Sequence, residues 1–491
     1  MEDRKYAGVV IDQAHPALDK LFHYSIPPTL ADKVEIGMRV QISFGRRFLQ
    51  GYILSLDEKA DIPEGKIKPL KKLMDPHPVL GKNMIPLIYW MKEEYHCMLI
   101  EAIRCCIPPG IRGNVKRKTQ QVVYLADTDS LEEWISSVEN RSSKMACILR
   151  ALEQRDGIPA VELLELTGAS RSSIQSLRKR GYIRIREEET YRNPWQADGI
   201  STVPPVLNEE QEKAMQAILA RIRAGHGTLL LHGVTGSGKT EVYMKAADLV
   251  LKQRKQVIVL VPEISLTPQT VGRFKGRFGD NVAVLHSGLS LGERYDEWRR
   301  IRNNEVQIVV GARSAVFAPM EHLGLIIIDE AHEDSYKSEV RPRYHARDVA
   351  ARRCETEGAV LVLGSATPAL EDYTRALHGE YQLVEMNERV DHRVLPPVDT
   401  IDMRRELEMG NRSIFSQEMY RSLRNTLRRG EQAILLMNRR GYAQFVSCRS
   451  CGAVIKCRNC DVSLTWHAKE RMLKCHYCGH QEPYPKKCPE C

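Results

Sequence analysis

Six apolar runs recur from Thr228 onward, each closing on a loop-forming residue: TLLLHG, VIVLVP, VQIVVG, LGLIIIDE, AVLVLGS and, later, AILLMN. Continuous apolar strands of this length suit a parallel sheet covered on both faces. Helix-compatible stretches separate them, so the pattern predicts a doubly wound α/β sheet with ligand-ready loops at the strand carboxyl ends. Upstream the pattern differs. From Tyr6 to about Ile107, β-rich runs such as VVI, RVQISFG and GYILSL are punctuated by Pro and Gly and predict a small barrel-like β domain. Between about 140 and 190, KMACILRALEQ, PAVELLELTG and SRSSIQSLRKRGYIRI read as three short helices and a wing, with Ser170 or Ser172 placed to cap the third helix. Winged helices bind DNA through that third helix, here carrying Arg171, Arg178, Lys179 and Arg180, or dock proteins; the pattern leaves both open. The Pro-rich segment YRNPWQADGISTVPPV has no periodicity and reads as a linker.

At 491 residues the chain exceeds a single hydrophobic core and divides into several domains. A formal charge of +9 fits a polyanionic partner and equally fits ordinary solvated surface. The opening MEDRKYAGVVID lacks the basic-then-apolar plan of a leader, and no apolar run approaches the ~20 residues that cross a bilayer. The expectation is a cytoplasmic protein without a membrane partner. Eight of the thirteen cysteines lie between Cys448 and Cys491, and in a reducing compartment such crowding points to metal.

Directly after the run TLLLH come Gly233, Val234, Thr235, Gly236, Ser237, Gly238, Lys239 and Thr240, which match the phosphate-cradling pattern G-x-x-x-x-G-K-[ST] and lead into the helical EVYMKAADLVL. Glycines let backbone N–H groups turn onto phosphate oxygens, aided by the helix dipole. ATP and Mg²⁺ are therefore the expected ligands, with Lys239 on the β and γ phosphates and Thr240 on the metal. A second apolar strand ends in Asp329-Glu330-Ala331-His332. Asp329 is placed to hold Mg²⁺, and Glu330 to orient or deprotonate the attacking water.

These motifs, with Gly364-Ser-Ala-Thr-Pro-Ala-Leu370, resemble superfamily 2 helicases. The resemblance implies that Ser365 and Thr367 couple the γ-phosphate to lobe movement, and that Gln211 of Leu207-Asn208-Glu209-Glu210-Gln211 reads the adenine. VPEISLTPQT, HSGLS, GARSAVFAP and SYKSEVRPRYHARDVA narrow the likeness to the replication-restart helicases. What that family implies is a 3′-to-5′ DNA helicase that recognises stalled or abandoned forks and starts primosome assembly. DNA contacts are then expected from Val261 to Gln269, from Gly311 to Ser314 including Arg313, and from an aromatic-rich loop with Tyr336, Lys337, Arg343, Tyr344 and Arg347. Alternating aromatic and basic side chains suit stacked bases and phosphates. The implied partners are forked, branched or single-stranded 3′ DNA ends, other primosome proteins and single-stranded-DNA-binding protein. Two departures stand out: His23 in Phe22-His23-Tyr24, where the family has an acidic or small polar residue at its 3′-end pocket, and Ala331, where it commonly has Glu.

Four C-x-x-C knuckles follow: Cys448/Cys451, Cys457/Cys460, Cys475/Cys478 and Cys488/Cys491. Eight thiolates complete two tetrahedral zinc sites. Five residues separate the first two knuckles and fourteen the second and third, the better length for a hairpin closing on one ion. The expected pairing is nested: Cys457, Cys460, Cys475 and Cys478 on one Zn²⁺, and Cys448, Cys451, Cys488 and Cys491 on the other. His467, His476 and His480 read as surface residues; Cys97, Cys105, Cys106, Cys147 and Cys354 read as packing residues.

The expected organisation is a β-rich 3′-end-binding domain (1–110), a winged helix with linker (111–195), a RecA-like motor lobe (200–385), the start of a second lobe (386–447) and the double-zinc module (448–491). Of the second lobe only the strand Ala433 to Met437 is recognisable, so the sequence reads as truncated after the cysteine module. The alternatives are an ATP- and DNA-binding scaffold without efficient turnover, or a duplex translocase without strand separation.

Overall fold

The computed structural model describes residues 5–60, 63–112, 118–126, 131–139, 142–192, 205–263, 268–390, 396–436, 446–448, 451–467 and 470–491. The opening β-rich runs become β1 (Tyr6–Ile11), β2 (Phe22–Ser25), β3 (Arg39–Phe44), β4 (Arg47–Asp57) and β5 (Lys72–Leu73), an antiparallel sheet in the order β2-β1-β4-β3-β5. A bridge between Ser25 and Pro69 ties the end of β2 to the run into β5, so the two sheet edges meet. Helices α1 (Met84–Tyr95) and α2 (Leu99–Cys106) and the single turn α3 (Pro109–Arg112) follow.

The second group comprises β6 (Thr119–Leu125), α4 (Leu131–Glu139), α5 (Ser143–Gln154), β7 (Ile158–Pro159), α6 (Ala160–Thr167), α7 (Arg171–Lys179) and β8 (Ile183–Glu189), with a sheet ordered β7-β6-β8. Helix α7 buries Ile174 and Leu177 and leaves Arg171, Arg178, Lys179 and Arg180 exposed. Ser170 stands at its N-cap but makes no capping hydrogen bond; its hydroxyl lies 2.7 Å from that of Ser172. The expected linker is anchored at its start: the Tyr191 hydroxyl donates to Glu305 (2.6 Å), and the Arg192 backbone and guanidinium donate to Asp296 (3.0 and 2.8 Å). Its residues 193–204 lie outside the described residues.

The apolar runs then form β9 (Gly227–Gly233), β10 (Gln256–Leu260), β12 (Ile308–Gly311), β13 (Leu323–Ile328) and β14 (Val360–Ser365), joined by β11 (Val282–Leu285) and β15 (Gln382–Met386). All seven are parallel, ordered β11-β12-β10-β13-β14-β9-β15. Alternation along each strand feeds two cores. Val257 and Val259 pack with α8 (Glu209–Ala224), α9 (Lys239–Lys252) and α10 (Pro268–Phe278). Ile258 and Leu260 pack with α11 (Leu291–Arg302), α12 (Ala346–Glu357), α13 (Leu370–Leu377) and also α1 and α2. Val10, Tyr52 and Leu54 of β1 and β4, with α1 and α2, thus share an interior with the motor sheet, while the β-rich sheet keeps a core of its own around Val9, Val40, Ile42 and Ile53; residues 1–393 form a single compact unit. The expected boundary at 385 falls inside β15, which is hydrogen-bonded to β9.

A second unit, residues 394–491, carries α14 (Met403–Glu408), α15 (Gln417–Arg428) and the antiparallel β16 (Thr465–His467), β17 (Met472–Lys474) and β18 (Gln481–Pro483). The strand expected at Ala433 to Met437 does not form: residues 433–436 pair with no strand, Ile434 and Leu436 are exposed, and Met437 lies outside the described residues. An apolar run becomes a strand only where a neighbour takes its hydrogen bonds, and among the described residues none does.

Candidate functional site

The loop after β9 has the backbone a phosphate cradle needs. Gly236 and Gly238 adopt φ of 85° and 83°, and a Cβ on Gly238 would lie 2.3 Å from the Gln211 amide nitrogen. Gln211 is buried: its side chain closes a capping box with Asn208 and donates to the Ser237 carbonyl (3.0 Å), so it props the loop from beneath. Lys239, the first residue of α9, points its ammonium at the Gly233 carbonyl (2.7 Å). A cavity of about 460 Å³ opens here, lined by Thr235, Gly236, Lys239, Thr240, Asp329 and Glu330. Arg273 and Arg277, one turn apart on α10, also line it, and Arg277 contacts Glu241. The sequence reading missed both arginines; an i, i+4 cationic pair on the helix after β10 was the signal.

The acidic pair closes the opposite wall. Tyr243 of α9 donates to Asp329 Oδ1 (3.1 Å), and Tyr336 donates to the Asp329 carbonyl (2.6 Å). Burial, then the Glu330 charge, pushes the Asp329 carboxyl above its ordinary range, while the Tyr243 hydroxyl and Lys239 draw it back. Glu330 has φ of 45°, a left-handed conformation costing a non-glycine residue about 1 kcal/mol, and it turns this carboxylate into the cavity wall. His332 Nδ1 lies 3.6 Å from Glu330 and 2.8 Å from the Ser365 hydroxyl, which also accepts the Thr367 backbone N–H (3.0 Å). A contact path therefore joins Glu330 to Ser365 and Thr367.

The expected DNA-contact loop needs correction. Tyr336 and Tyr344 are 1% and 6% exposed, Tyr344 packing edge-on to Phe317, so neither presents a ring to a base. Arg347 is committed to the buried Asp372 (2.8 Å) and to Asp348 (3.2 Å). Lys337 and Arg343 are exposed; Arg313 donates to the backbone carbonyls of Ser335 and Lys337. Arg313, Ser314, Ser287, Ser335 and Lys337 line an open groove of about 730 Å³ at the strand carboxyl ends. Of the expected stretch Val261 to Gln269, residues 264–267 lie outside the described residues.

In the first sheet, the departure His23 faces Asp57 of β4 across β1, Nε2 to Oδ2 3.3 Å, and Asp57 also accepts the Ser55 hydroxyl (2.6 Å). The β3–β4 turn bounds a cleft of about 260 Å³ with Arg46, Arg47, Lys68 and Lys71 around an exposed Phe48.

The cysteines cluster as expected. Cys448, Cys451, Cys488 and Cys491 form one group and Cys457, Cys460, Cys475 and Cys478 the other, all sulfurs in a group lying within 4.8 Å of one another. The Cys448–Cys491, Cys451–Cys488 and Cys457–Cys478 sulfurs are 3.6 Å apart. That is near the ~3.8 Å edge of a tetrahedron with ~2.3 Å Zn–S bonds and far beyond the ~2.05 Å of a disulfide. The residue after each of the first three knuckles, Gly452, Asp461 and Gly479, takes a left-handed φ of 79°, 54° and 76°. The His480 backbone N–H, then neighbouring thiols, draw Cys478 down to about 6. His467 and His476 approach each other (Nε2 to Nε2 3.2 Å). Cys97, Cys106 and Cys354 are buried and Cys105 half-buried; Cys147 is exposed on α5, against the expectation that it packs. No helix among the described residues is long and apolar enough to cross a membrane.

A P-loop closing β9, an acidic pair ending β13 and a Ser-Ala-Thr loop ending β14, side by side on a parallel sheet, define a motor lobe of the helicase class. Three family matches specify it: the "3'DNA-binding domain (3'BD)" of PriA over residues 8–108, the "Type III restriction enzyme, res subunit" over 205–370, and the "PriA DNA helicase Cys-rich region (CRR) domain" over 457–483. The replication restart protein PriA of Bacillus subtilis is 40% identical over 99% of this chain and 68% of its own length; that of Synechocystis is 38% identical with the same coverage. A solved RecG bound to a three-way DNA junction is 18% identical, covering 61% of this chain and 42% of its own at TM-score 0.31, too slight a likeness to carry weight. The chain belongs to the replication restart protein PriA family and spans about two thirds of these relatives' length.

Proposed function

We propose that this chain is an ATP-driven 3′-to-5′ DNA helicase of replication restart, working in the cytoplasm on stalled or abandoned forks and initiating primosome assembly. The observation that carries the reading is the convergence of Lys239, Thr240, Asp329 and Glu330 on one cavity at the carboxyl ends of β9 and β13. The glycine backbone, the two arginines of α10 and the paired carboxylates fit a nucleotide triphosphate with Mg²⁺. Bound Mg²⁺ supplies charge neutralisation at the phosphates. Lys239 would turn from the Gly233 carbonyl to a phosphate oxygen, Asp329 and Thr240 would hold the metal, and Glu330 would take the proton of a water whose oxygen bonds to the γ-phosphorus as the bond to the ADP oxygen breaks. Ser365 and Thr367, reached from Glu330 through His332, couple the state of the γ-phosphate to lobe movement. Gln211 is assigned to the adenine, its amide meanwhile holding the loop through the Ser237 carbonyl.

Arg313, Lys337 and Arg343 meet phosphates along the open groove. Tyr336, Tyr344 and Arg347 act from the interior, Tyr336 linking that loop to Asp329. The basic cleft at the β3–β4 turn is assigned to the 3′ strand end; His23, held by Asp57, does not line it. Two Zn²⁺ ions complete the cysteine module, and other primosome proteins and single-stranded-DNA-binding protein are the assigned partners. We divide the chain functionally into a 3′-end module, a winged helix, a motor lobe and a second-lobe segment with the zinc module.

The test is ATP hydrolysis by residues 1–491 with and without forked DNA, beside Lys239→Ala and a nucleotide-binding assay. DNA-stimulated turnover lost in the variant supports a motor. Binding of ATP and DNA without turnover makes the chain a scaffold, and failure to bind ATP overturns the nucleotide assignment. Strand displacement then separates helicase from duplex translocase.

A further inference from the structure

Between α2 and the motor lobe lies a second cavity, of about 270 Å³, distinct from the nucleotide site. Four arginines line it: Arg104 from α2, Arg294 from α11, Arg313 after β12 and Arg341 from the loop before α12; among the described residues no Asp or Glu does. Three of them have protein partners. Arg104 pairs with Asp12 (2.7 Å), Arg294 donates to the Ser287 carbonyl, and Arg313 to the carbonyls of Ser335 and Lys337. Among the described residues only Arg104 has a carboxylate; carbonyls satisfy hydrogen bonds without cancelling charge. Two donors on the wall remain buried and unsatisfied, Arg294 Nε and Trp298 Nε1, and Trp298 is 9% exposed. Arg341 is exposed at the rim.

Like charges gathered round a small space repel one another, and buried N–H groups without acceptors carry a desolvation penalty. A ligand bearing several oxygens and negative charge removes both costs at once, and guanidinium groups match phosphate geometry best. We propose that this cavity is a phosphate-binding site, held by Arg294, Arg313 and Arg341 with Trp298 Nε1 as a neutral donor. The phosphate comes either from a DNA backbone, since Arg313 and Ser314 belong to this cavity and to the open groove alike, or from a free anion. The site does not depend on the helicase reading; only its DNA source does.

Inorganic phosphate is titrated against the full chain carrying Lys239→Ala, which removes phosphate uptake at the nucleotide loop. Binding is read as Trp298 fluorescence, by difference from the same chain with Trp298→Phe. The expected result is a saturable change, weakened at least tenfold by Arg294→Gln and by Arg341→Gln. Because Arg341 is exposed, its variant should melt at the parent's temperature, which separates lost binding from lost folding. Single-stranded oligonucleotide is then added to the phosphate complex. Displacement by the natural oligonucleotide, but not by one with uncharged methylphosphonate linkages, assigns the site to a DNA phosphodiester, and Arg341→Gln should then lower the salt slope of DNA binding by about one. Saturable phosphate binding that DNA leaves untouched assigns it to a free anion. No saturable change, or one that neither arginine variant weakens, overturns the proposal even if ATP hydrolysis and DNA binding are intact.

Discussion

A side chain at Gly364 would place its Cβ 1.6 Å from the Tyr243 hydroxyl, the group that donates to Asp329. The glycine of the Ser-Ala-Thr loop is therefore fixed by the acidic pair's own scaffold. Gly364→Ala should destabilise the motor lobe by about 1–3 kcal/mol, as overpacking does, measured by urea unfolding. Adding Tyr243→Phe removes the closest clashing atom and should recover part of the loss, a coupling of at least ~0.5 kcal/mol; strictly additive effects would disprove the contact. At Glu330 the expected outcome is chemical: Glu330→Gln should lower turnover about 10²–10⁴-fold while nucleotide still binds. Loss of binding instead would make Glu330 a structural residue. The cradle and acidic pair were legible because their spacing is set by phosphate and metal chemistry. The burial of Tyr336 and Tyr344 was not, because an aromatic beside a cation reads alike whether it faces a base or the core. The ion pair of Arg347 was hidden for a different reason: its partner Asp372 lies 25 positions away in the chain.

Elements were legible in proportion to their apolar continuity. The five buried motor runs announced themselves, whereas β11, four residues long, and β15, with a polar residue at either half, did not. Conversely, Ala433 to Met437 looked like a strand because strand propensity is local and pairing is not. The knuckles were the clearest elements, since C-x-x-C followed by Gly encodes both the ligands and the left-handed turn at Gly452 and Gly479; Asp461 does the same with a less suited residue. The nested pairing makes the two ions separable. Cys488→Ser should reduce zinc from two ions per chain to about one, the inner group with the buried Leu464 and Leu473 retaining its metal. Loss of both ions, measured by metal release to a chromogenic chelator, would show that the two sites form as one.

At the scale of the molecule, the β-rich region does not hang from the motor on a tether. One interior contains Leu87 and Met91 of α1, Ile100 and Ile103 of α2, and Val349 and Ala350 of α12. At its edge Arg353, fully buried, donates to the carbonyls of Val316 (2.7 Å) and Ala318 (3.1 Å) and to Glu357 (2.7 Å). Glu357 in turn accepts the amide of Asn83, just before α1 (2.7 Å). Sequence could not reveal this seam, because each partner reads as an ordinary surface residue of its own helix until the two faces meet. Its consequence is cooperative unfolding: a β-rich region that packs α1 and α2 into the motor core cannot melt independently of the motor lobe. Glu357→Ala strands the Arg353 charge in the interior and should cost about 3–5 kcal/mol. If the shared core is real, hydrogen exchange should show the amides of β1 and β4 and those of β10 and β13 losing protection together in that variant. Loss confined to the motor strands would mean that the β-rich sheet is stabilised by its own barrel-like closure and its separate core around Val9, Val40 and Ile53.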